Sequence, residues 1–585
     1  MLLIFRSLLT RFCGFWLLAL LLAGSAQAQT PAWQAALSTS QSTNGSAWVN
    51  SSAADASGNV YLAGEFNGTL TLGTTTLTSP GYSSTNPGAV SMFLAKWSPS
   101  ANRFLWAIRG GGPGFANAGR LAVNGTSLYV AGTFVGPNAS FGAVTLTNST
   151  STPALFLLKL TDTGTGAAAV WGQTMLTNVN NVAYADLAVE GNAVYLSGNF
   201  SGSVLTIGTY TMPNQGAINS YDGFIAKFTD AGATGSFTWA QQLGGPDEQE
   251  AGFLAVSGTS VYMAGAFRPA SLQVGATVLT NASLSGSDVY VAKLTDAGAS
   301  SSFVWALRAG GTGYEHVDGL KASGSGIYLL GGYDSPTAGF GTINLARTAT
   351  DGGRNMYLTK LADAGPTGAY VWALPAGGTT SVQSRRLAVQ GSSVYVAGIY
   401  ANATTPSFGS ITLQPSPGNA PNQFVTKILD GGSSGGFQWA YAGTQGNIEP
   451  RALTPVGATV FTSGVFGTDA ANPTARFDNI TLTAAATARP TAFLAALRDP
   501  MPSAVRQAAQ PSLTLHPNPA HGTSRFAVAP EAAHRTLQVL DGTGRELRRQ
   551  AVLPHATMAV VDLRGLAPGL YLVRCGTALG RLEVQ

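Results

Sequence analysis

The chain of 585 residues is poor in cysteine, histidine and charge: it has two Cys and five His, and Asp, Glu, Lys and Arg together make up 10%. Cys13 lies near the N-terminus and Cys575 near the C-terminus. They cannot staple a mature chain that has lost its leader, so the fold must be held by packing. An exported protein without disulfides points to a bacterial source. Four histidines, His516, His521, His534 and His555, fall in the last segment and leave His316 alone in the centre. With no H-E-x-x-H, Cys pair or His cluster, no metal and no cofactor is expected. No G-x-S-x-G elbow occurs, and a Ser-His-Asp triad would have to use His316, which reads as a solvated turn residue.

An excess of one sign of charge is missing as well. The formal net charge is +4, but Arg6 and Arg11 stand in the leader, and residues 500–585 hold nine Arg against five acids. Residues 29–499 then carry 20 basic and 22 acidic residues. No basic stripe follows a phosphate backbone, so nucleic acid is not an expected partner. Nor does any later apolar run approach the roughly 20 residues that cross a bilayer, so no transmembrane segment is expected in the mature chain. The N-terminus has the three parts of an export signal: Arg6 and Arg11, the apolar stretch Phe12 to Ala23, and the small-x-small site Ala26-Gln27-Ala28 before Gln29. Cleavage between Ala28 and Gln29 makes residues 1–28 a signal peptide, and the protein is expected to be secreted or held on the outer cell surface.

What is abundant is glycine, 73 residues of it, crowded with Thr, Ser and Ala. This suits short strands joined by turns. A strand-like "VY-x-x-G-x-F" phrase recurs seven times, with its aromatic at Tyr61, Tyr129, Tyr195, Tyr262, Tyr328, Tyr395 and Phe461, at spacings of 66 to 68 residues. Each unit holds four apolar segments, such as "GFLAVSG", "SVYMAGAF", "DVYVAKL" and "SFVWAL" in the fourth. A long connection joins the second and third, usually with an "FG-x-x-T-L" phrase inside. Four antiparallel strands make one small sheet whose faces must be covered by its neighbours. The fourth-strand tryptophans are Trp106, Trp171, Trp239, Trp305, Trp372 and Trp439, and the last unit ends without one. "PAWQAAL", with Trp33, stands ahead of the first unit and matches that phrase. Pairing it with the last three strands completes seven sheets of four and removes the exposed edges.

These phrases, from Pro31 to Asp499, resemble the bacterial seven-bladed β-propeller repeat family. The resemblance implies a fold and little about a ligand. Expected is an all-β chain: a seven-bladed β-propeller over 29–499 closed by an N-terminal strand, a linker over 500–511, and a small β-sandwich over 512–585. That last segment contains Pro517-Asn518-Pro519, Asp541-Gly542-x-Gly544, Leu563, Leu566 and Pro568-Gly569-x-Tyr571, in that order, and a terminal strand. It resembles the type A C-terminal sorting domain of the type IX (Por) secretion system of the Bacteroidota. The resemblance implies transport across the outer membrane by that machinery, followed by removal of the module.

Two sets of charged positions recur. Lys96, Lys159, Lys227, Lys293, Lys360 and Lys427 share one place in the third strand, with Ala496 in the last unit. They read as stems packed between sheets with amines reaching water. Asp162, Asp230, Asp296, Asp363 and Asp430 read as turn caps. Function is expected where the repeats disagree. The innermost strands begin on the loop-rich face with Arg120, Asp186, Asp318, Arg386 and Arg451, and nearby loops add Asp247, Glu248, Glu250, Glu315 and Glu449. Such a ring at a channel mouth is a ligand site or a solvated rim. The acidic "GGPDEQE" loop lacks the alternation of a Ca²⁺ loop. The leading expectation is a non-enzymatic binding protein for glycan or protein. The rival is a polysaccharide hydrolase or lyase with a carboxylate pair, Asp186 and Asp318 first, at the channel mouth.

Overall fold

The computed structural model describes residues 30–500 and 513–585, apart from 43–44, 82–88, 151, 178–181, 217–219, 251, 284, 351, 380, 401–404, 416–420, 444, 469–471, 485–488, 514, 528–534, 542–545 and 576–577. The expected signal peptide, with Ala28 and Gln29, the linker beyond Pro500, and Gly542 and Gly544 lie outside the described residues. Two compact units are present, Pro31–Asp499 and a C-terminal one reaching Gln585. Both are all-β, as the strand-length apolar segments require, and no helix occurs among the described residues.

In the larger unit, seven sheets among the described residues share one four-strand antiparallel core. The first runs Ser46–Ala54, Val60–Asn67, Ser91–Ser98 and Arg103–Gly110, inside to outside. In the seventh, Ile448–Val456, Thr459–Phe466 and Thr491–Arg498 are followed by Ala32–Ser38 from the other end of the chain. Each innermost strand packs on the next, and Ile448–Val456 packs back on Ser46–Ala54. The arrangement is propeller-like. The long second-to-third connection is more than a loop: its "FG" phrase forms a further hairpin, such as Thr337–Phe340 with Ile343–Ala346. That hairpin continues the preceding sheet through Ala309 opposite Phe340.

The recurrent lysines do not reach water, which corrects the expectation for them. Lys96 Nζ lies 2.6 Å from Asp162 Oδ2 in the next sheet, and both side chains are buried. The same carboxylate accepts from the Tyr61 hydroxyl at 2.6 Å and Trp106 Nε1 at 3.1 Å. It also caps its own turn by accepting from the Gly164 amide at 2.9 Å. This clamp of Tyr, Lys and Trp on the following Asp recurs at Asp230, Asp296, Asp363, Asp430 and Asp499. The turn-cap reading of these aspartates therefore gives only half of their work. Their main partners lie across the sheet boundary, because a buried ammonium must find a carboxylate.

The junction from the seventh sheet to the first is built differently. In the first sheet Trp106 stands opposite Lys96 and Phe104 opposite Trp97. In the seventh, Ala35 stands opposite Ala496 and Trp33 opposite Leu497. Both sheets have the same bulge at this point, so Trp33 takes the place of Phe104, and Ala35 the place of the tryptophans. Trp33 is thus not the missing member of that series, contrary to the sequence match. Phe461 stands for the tyrosine, Ala496 for the lysine and Pro99 for the aspartate, so this junction has none of the clamp's four groups. Phe461, Leu494, Val456 and Ala496 instead pack with Val60, Leu62 and Trp97. Losing all the members together leaves no buried charge unpaired.

Asp478 holds the N-terminal strand. Its carboxylate accepts from the Trp33 amide at 3.0 Å and the Tyr441 hydroxyl at 2.8 Å. Trp33 Nε1 donates to the Ala442 carbonyl at 3.1 Å, and its ring meets Phe477 edge-on with centroids 4.9 Å apart. At the equivalent hairpin position the other six repeats have glycine with φ between 57° and 63°, whereas Asp478 adopts φ 55°. An aspartate tolerates this left-handed conformation better than most residues.

The C-terminal unit has a four-stranded sheet ordered Glu546–Val552, Arg535–Leu540, Gly569–Cys575, Ala578–Val584, and a pair formed by Thr523–Ala527 and Met558–Asp562. Leu515, Phe526, Val539, Val561, Val573 and Leu582 fill its core. Asn518 ties the Pro517-Asn518-Pro519 phrase to the last strand, donating to the Arg581 carbonyl at 2.7 Å and accepting from the Glu583 amide at 2.8 Å. Tyr571 donates its hydroxyl to the Ala567 carbonyl at 2.7 Å, which closes the turn before Gly569.

Candidate functional site

The innermost strands aim their variable residues into a channel by a shared irregularity. The register of the first two strands slips at Val49/Ser51, Tyr184/Asp186, Val317/Gly319, Ser384/Arg386 and Pro450/Ala452. An extra residue at such a bulge bends the strand and re-aims the side chains beside it. Ser51, Arg120, Asp186, Phe253, Gly319, Arg386 and Ala452 share one register position, opposite Ala63, Ala131, Ser197, Ala264, Leu330, Ala397 and Ser463. The sheet scaffold repeats, but this ring of positions does not.

All five channel-mouth residues from the sequence, Arg120, Asp186, Asp318, Arg386 and Arg451, line one cavity of about 110 Å³. Leu121, Leu187, Leu320, Leu387 and Leu453 form a belt beside them. A second cavity of about 300 Å³ shares Asn50, Arg120, Arg386 and Arg451 with the first and adds Glu65, Asn117, Arg385 and Glu449. A third, of about 180 Å³, is lined by Glu248, Glu250, Arg268, Tyr314, Glu315, His316 and Arg354. Asp318 Oδ2 in the wall of the first cavity lies 3.3 Å from His316 Nε2 in the wall of the third.

The carboxylates here are engaged. Asp186 accepts from the Leu187 amide at 3.0 Å and, across the sheet boundary, from the Leu254 amide at 3.2 Å, with Arg120 Nε 3.6 Å away. Asp318 accepts from Ser384 Oγ at 2.5 Å. Ser384 therefore serves the carboxylate and not the imidazole, and the three residues do not form a nucleophilic triad. Burial pushes the Glu250 carboxyl up, Glu248 adds to the rise, and Arg268 and His316 oppose it. Burial likewise raises Glu65, against the pull of Arg451 and of hydrogen bonds from Asn50 and Asn117. Of the loop acids, Glu248 pairs with Arg268 at 2.8 Å and Glu449 with Arg451 at 3.2 Å. Glu315 is buried under Ser335 Oγ at 2.5 Å and the Gly311 amide at 2.8 Å, and Asp247 accepts from the Glu248 amide. Among the described residues no group of three His, Cys, Asp or Glu is placed to hold a metal ion.

The guanidiniums are less evenly matched. Arg451 donates to Asn50 Oδ1 at 3.2 Å besides pairing with Glu449. Arg386 donates from Nε to the Arg451 carbonyl and from Nη1 to the Arg385 carbonyl at 2.7 Å, and pairs with no carboxylate among the described residues. Desolvation pulls its pKa below the ordinary arginine value, Arg120 and Arg451 in the same direction, and Asp318 and Asp186 against it. Sequence reasoning missed Arg385, Glu65 and Tyr314 as wall residues. Glu65 had a signal, since it stands where the second strand of other repeats has Thr133, Ala266 or Gly332.

No family model and no curated protein matches the chain. Among solved structures, the Kuenenia stuttgartiensis hydrazine synthase aligns with a TM-score of 0.36 at 9% identity, covering 71% of this chain and 92% of its own. A Dyadobacter fermentans protein of unknown function gives 0.34 at 8%, covering 80% and 99%. The phage phi92 endosialidase gives 0.35 at 10%, covering 90% and 76%. Scores this low carry no argument about what the chain does, and its propeller-like character rests on its own strand pairing.

Proposed function

We propose that the protein is an exported seven-bladed β-propeller, closed by its N-terminal strand, that binds a glycan or protein ligand at its channel mouth without chemistry. One observation carries the binding reading. The charges that repeat are consumed between sheets, while those that differ from sheet to sheet converge on one set of cavities. A scaffold that conserves its seams and varies its channel is built to present a surface. The seven four-strand sheets and the cycle of innermost strands support the ring. The export signal and the C-terminal phrases support delivery by the type IX machinery to the surface or the medium.

The rival, a polysaccharide hydrolase or lyase, draws on Glu250, a carboxyl raised by burial beside Glu248. The pair first suggested for it, Asp186 and Asp318, is held by backbone amides and a serine. A glycan array run beside hydrolysis assays on the same glycans decides between the readings: retention without turnover is expected, and turnover lost in Glu250→Gln would establish the enzyme. Deleting residues 512–585 in the native host is expected to trap the protein in the periplasm. Unimpaired release would overturn the sorting role.

A further inference from the structure

We propose that the channel mouth takes an oxyanion, a carboxylate or a sulfate ester, carried on a saccharide, with Arg386 as its anchor. The proposal rests on the channel-mouth binding reading above. It starts from an imbalance of charge. Residues 29–499 carry a net excess of two acids, yet Arg120, Arg385, Arg386 and Arg451 meet in one cavity of about 300 Å³ whose lining carboxylates are Glu65 and Glu449. Glu449 is already paired with Arg451. Glu65 accepts hydrogen bonds from Asn50 and Asn117, but its Oε2 is buried without a partner, and burial outweighs these bonds and the pull of Arg451.

Arg386 stands out within this group. A guanidinium presents five N–H donors in a planar fork that matches the two oxygens of a carboxylate or sulfate. The hydrogen bonds of Arg386 among the described residues go to two main-chain carbonyls, which fix its plane and neutralise none of its charge. Arg386 lines both the first and the second cavity. Burying a cation without a directly paired carboxylate is costly; Asp318 and Asp186 offset part of that cost from a distance, and Arg120 and Arg451 add to it. An incoming oxyanion relieves both.

A saccharide is the favoured carrier because of what lies across the mouth. The third cavity, whose His316 lies 3.3 Å from Asp318 in the wall of the first, offers Glu248, Glu250 and the part-exposed ring of Tyr314, over which the Arg268 guanidinium stands 6.0 Å from the centroid. Carboxylates accept hydrogen bonds from sugar hydroxyls, and an exposed aromatic face suits the C–H face of a pyranose. A cavity of about 300 Å³ lies at the small end of ligand sites, fit for a sugar ring or two.

The test is titration calorimetry of the full chain with four probes: an oligogalacturonate, the same oligomer as its methyl ester, a dextran sulfate oligosaccharide and the matching neutral dextran. At least one charged probe is expected to bind about tenfold or more tighter than its neutral counterpart, and to weaken as salt rises. The two charged arms tell carboxylate from sulfate. Arg386→Gln is expected to abolish the preference for charge, and Arg451→Gln to reduce it, with unchanged melting temperatures reporting intact folds. Arg103→Gln, exposed on the outermost strand of the first sheet and away from these cavities, should leave the preference in place. Equal binding of charged and neutral probes, both lost in Arg386→Gln, would overturn the oxyanion and leave the channel site standing. No binding by any of the four would also overturn it, with the glycan array then judging the channel site separately.

Discussion

The ammonium of Lys96 and the carboxylate of Asp162 meet at 2.6 Å across the boundary between two consecutive sheets. Five further Lys–Asp pairs repeat this contact, at Asp230, Asp296, Asp363, Asp430 and Asp499, so six junctions between consecutive sheets are riveted in the same way. Burial alone would raise the Asp162 carboxyl, but Lys96, Tyr61 and the Gly164 amide outweigh burial and hold it below its ordinary value.

The sign of the pH dependence follows. A carboxyl depressed in the folded state stabilises fully above its unfolded value, about 3.9, and loses that contribution as pH falls through the native value. Asp162→Asn is therefore expected to lower the melting temperature most near neutrality, with the gap to the parent closing as pH falls through the depressed native value. The difference between the two proteins is the quantity to follow by calorimetry. Glu250 and Glu315 are raised instead and push the parent's own curve the opposite way. A gap that widens on acidification would remove the ion pair from the account.

Lys227→Met removes one partner from a clamp in which Lys227, Tyr195 and Trp239 all donate to Asp296. An aspartate stripped of its cation should lose about 3 kcal/mol of stability in denaturant titration. Adding Asp296→Asn should return part of that loss, because the stranded charge is gone. If the double variant were no better than the single one, the charge would not be what the seam depends on.

The seam between Phe461 and Val60 has no Lys–Asp clamp and is held by apolar packing, a Ser52–Thr454 hydroxyl contact at 2.5 Å and the Arg451–Asn50 hydrogen bond at 3.2 Å. Hydrogen exchange is expected to show faster opening along Thr459–Phe466 and Val60–Asn67 than along the equivalent strands of the fourth sheet, Ser260–Phe267. Uniform protection across the seven sheets would make the missing clamp irrelevant.

Removing residues 30–40 should leave Thr491–Arg498 as an open edge and give a less stable, self-associating protein by light scattering. Asp478→Ala, which deletes the acceptor of the Trp33 amide and puts alanine at a left-handed φ, should lose about 2 kcal/mol. A truncated chain as stable and monomeric as the parent would mean that the N-terminal strand closes nothing.

Much of this fold was legible because a repeat writes the same physics several times. The strand-length apolar segments, the turns and the orphan N-terminal segment are all visible in the sequence, and five of the channel residues are too. Pairing across sheets was not. Lys96 and Asp162 are 66 residues apart, and one copy of the sequence gives no sign that a buried ammonium needs that carboxylate rather than water. The match of Trp33 to the tryptophan series failed because Trp33 pairs with Leu497, two residues from the tryptophan place that Ala35 fills, and a lone Trp in a short apolar phrase does not fix that alignment. Arg386 was visible as a charge at the right place. That its partners are carbonyls, and that Arg385 turns toward the same cavity, depends on a bulge between Ser384 and Arg386.

Asp478 and Trp33 are separated by 445 positions along the chain. A polypeptide that emerges from its N-terminus makes Trp33 near the beginning and must wait for nearly the whole repeat array before its partner exists. The first strand is thus a deferred commitment: six sheets can be completed in order as they appear, while the seventh stays open until the last arrives. A chain interrupted before Asp478, or clipped after Ser38, lacks one of the two and loses the pairing of Ala32–Ser38 with Thr491–Arg498 or its Asp478 anchor.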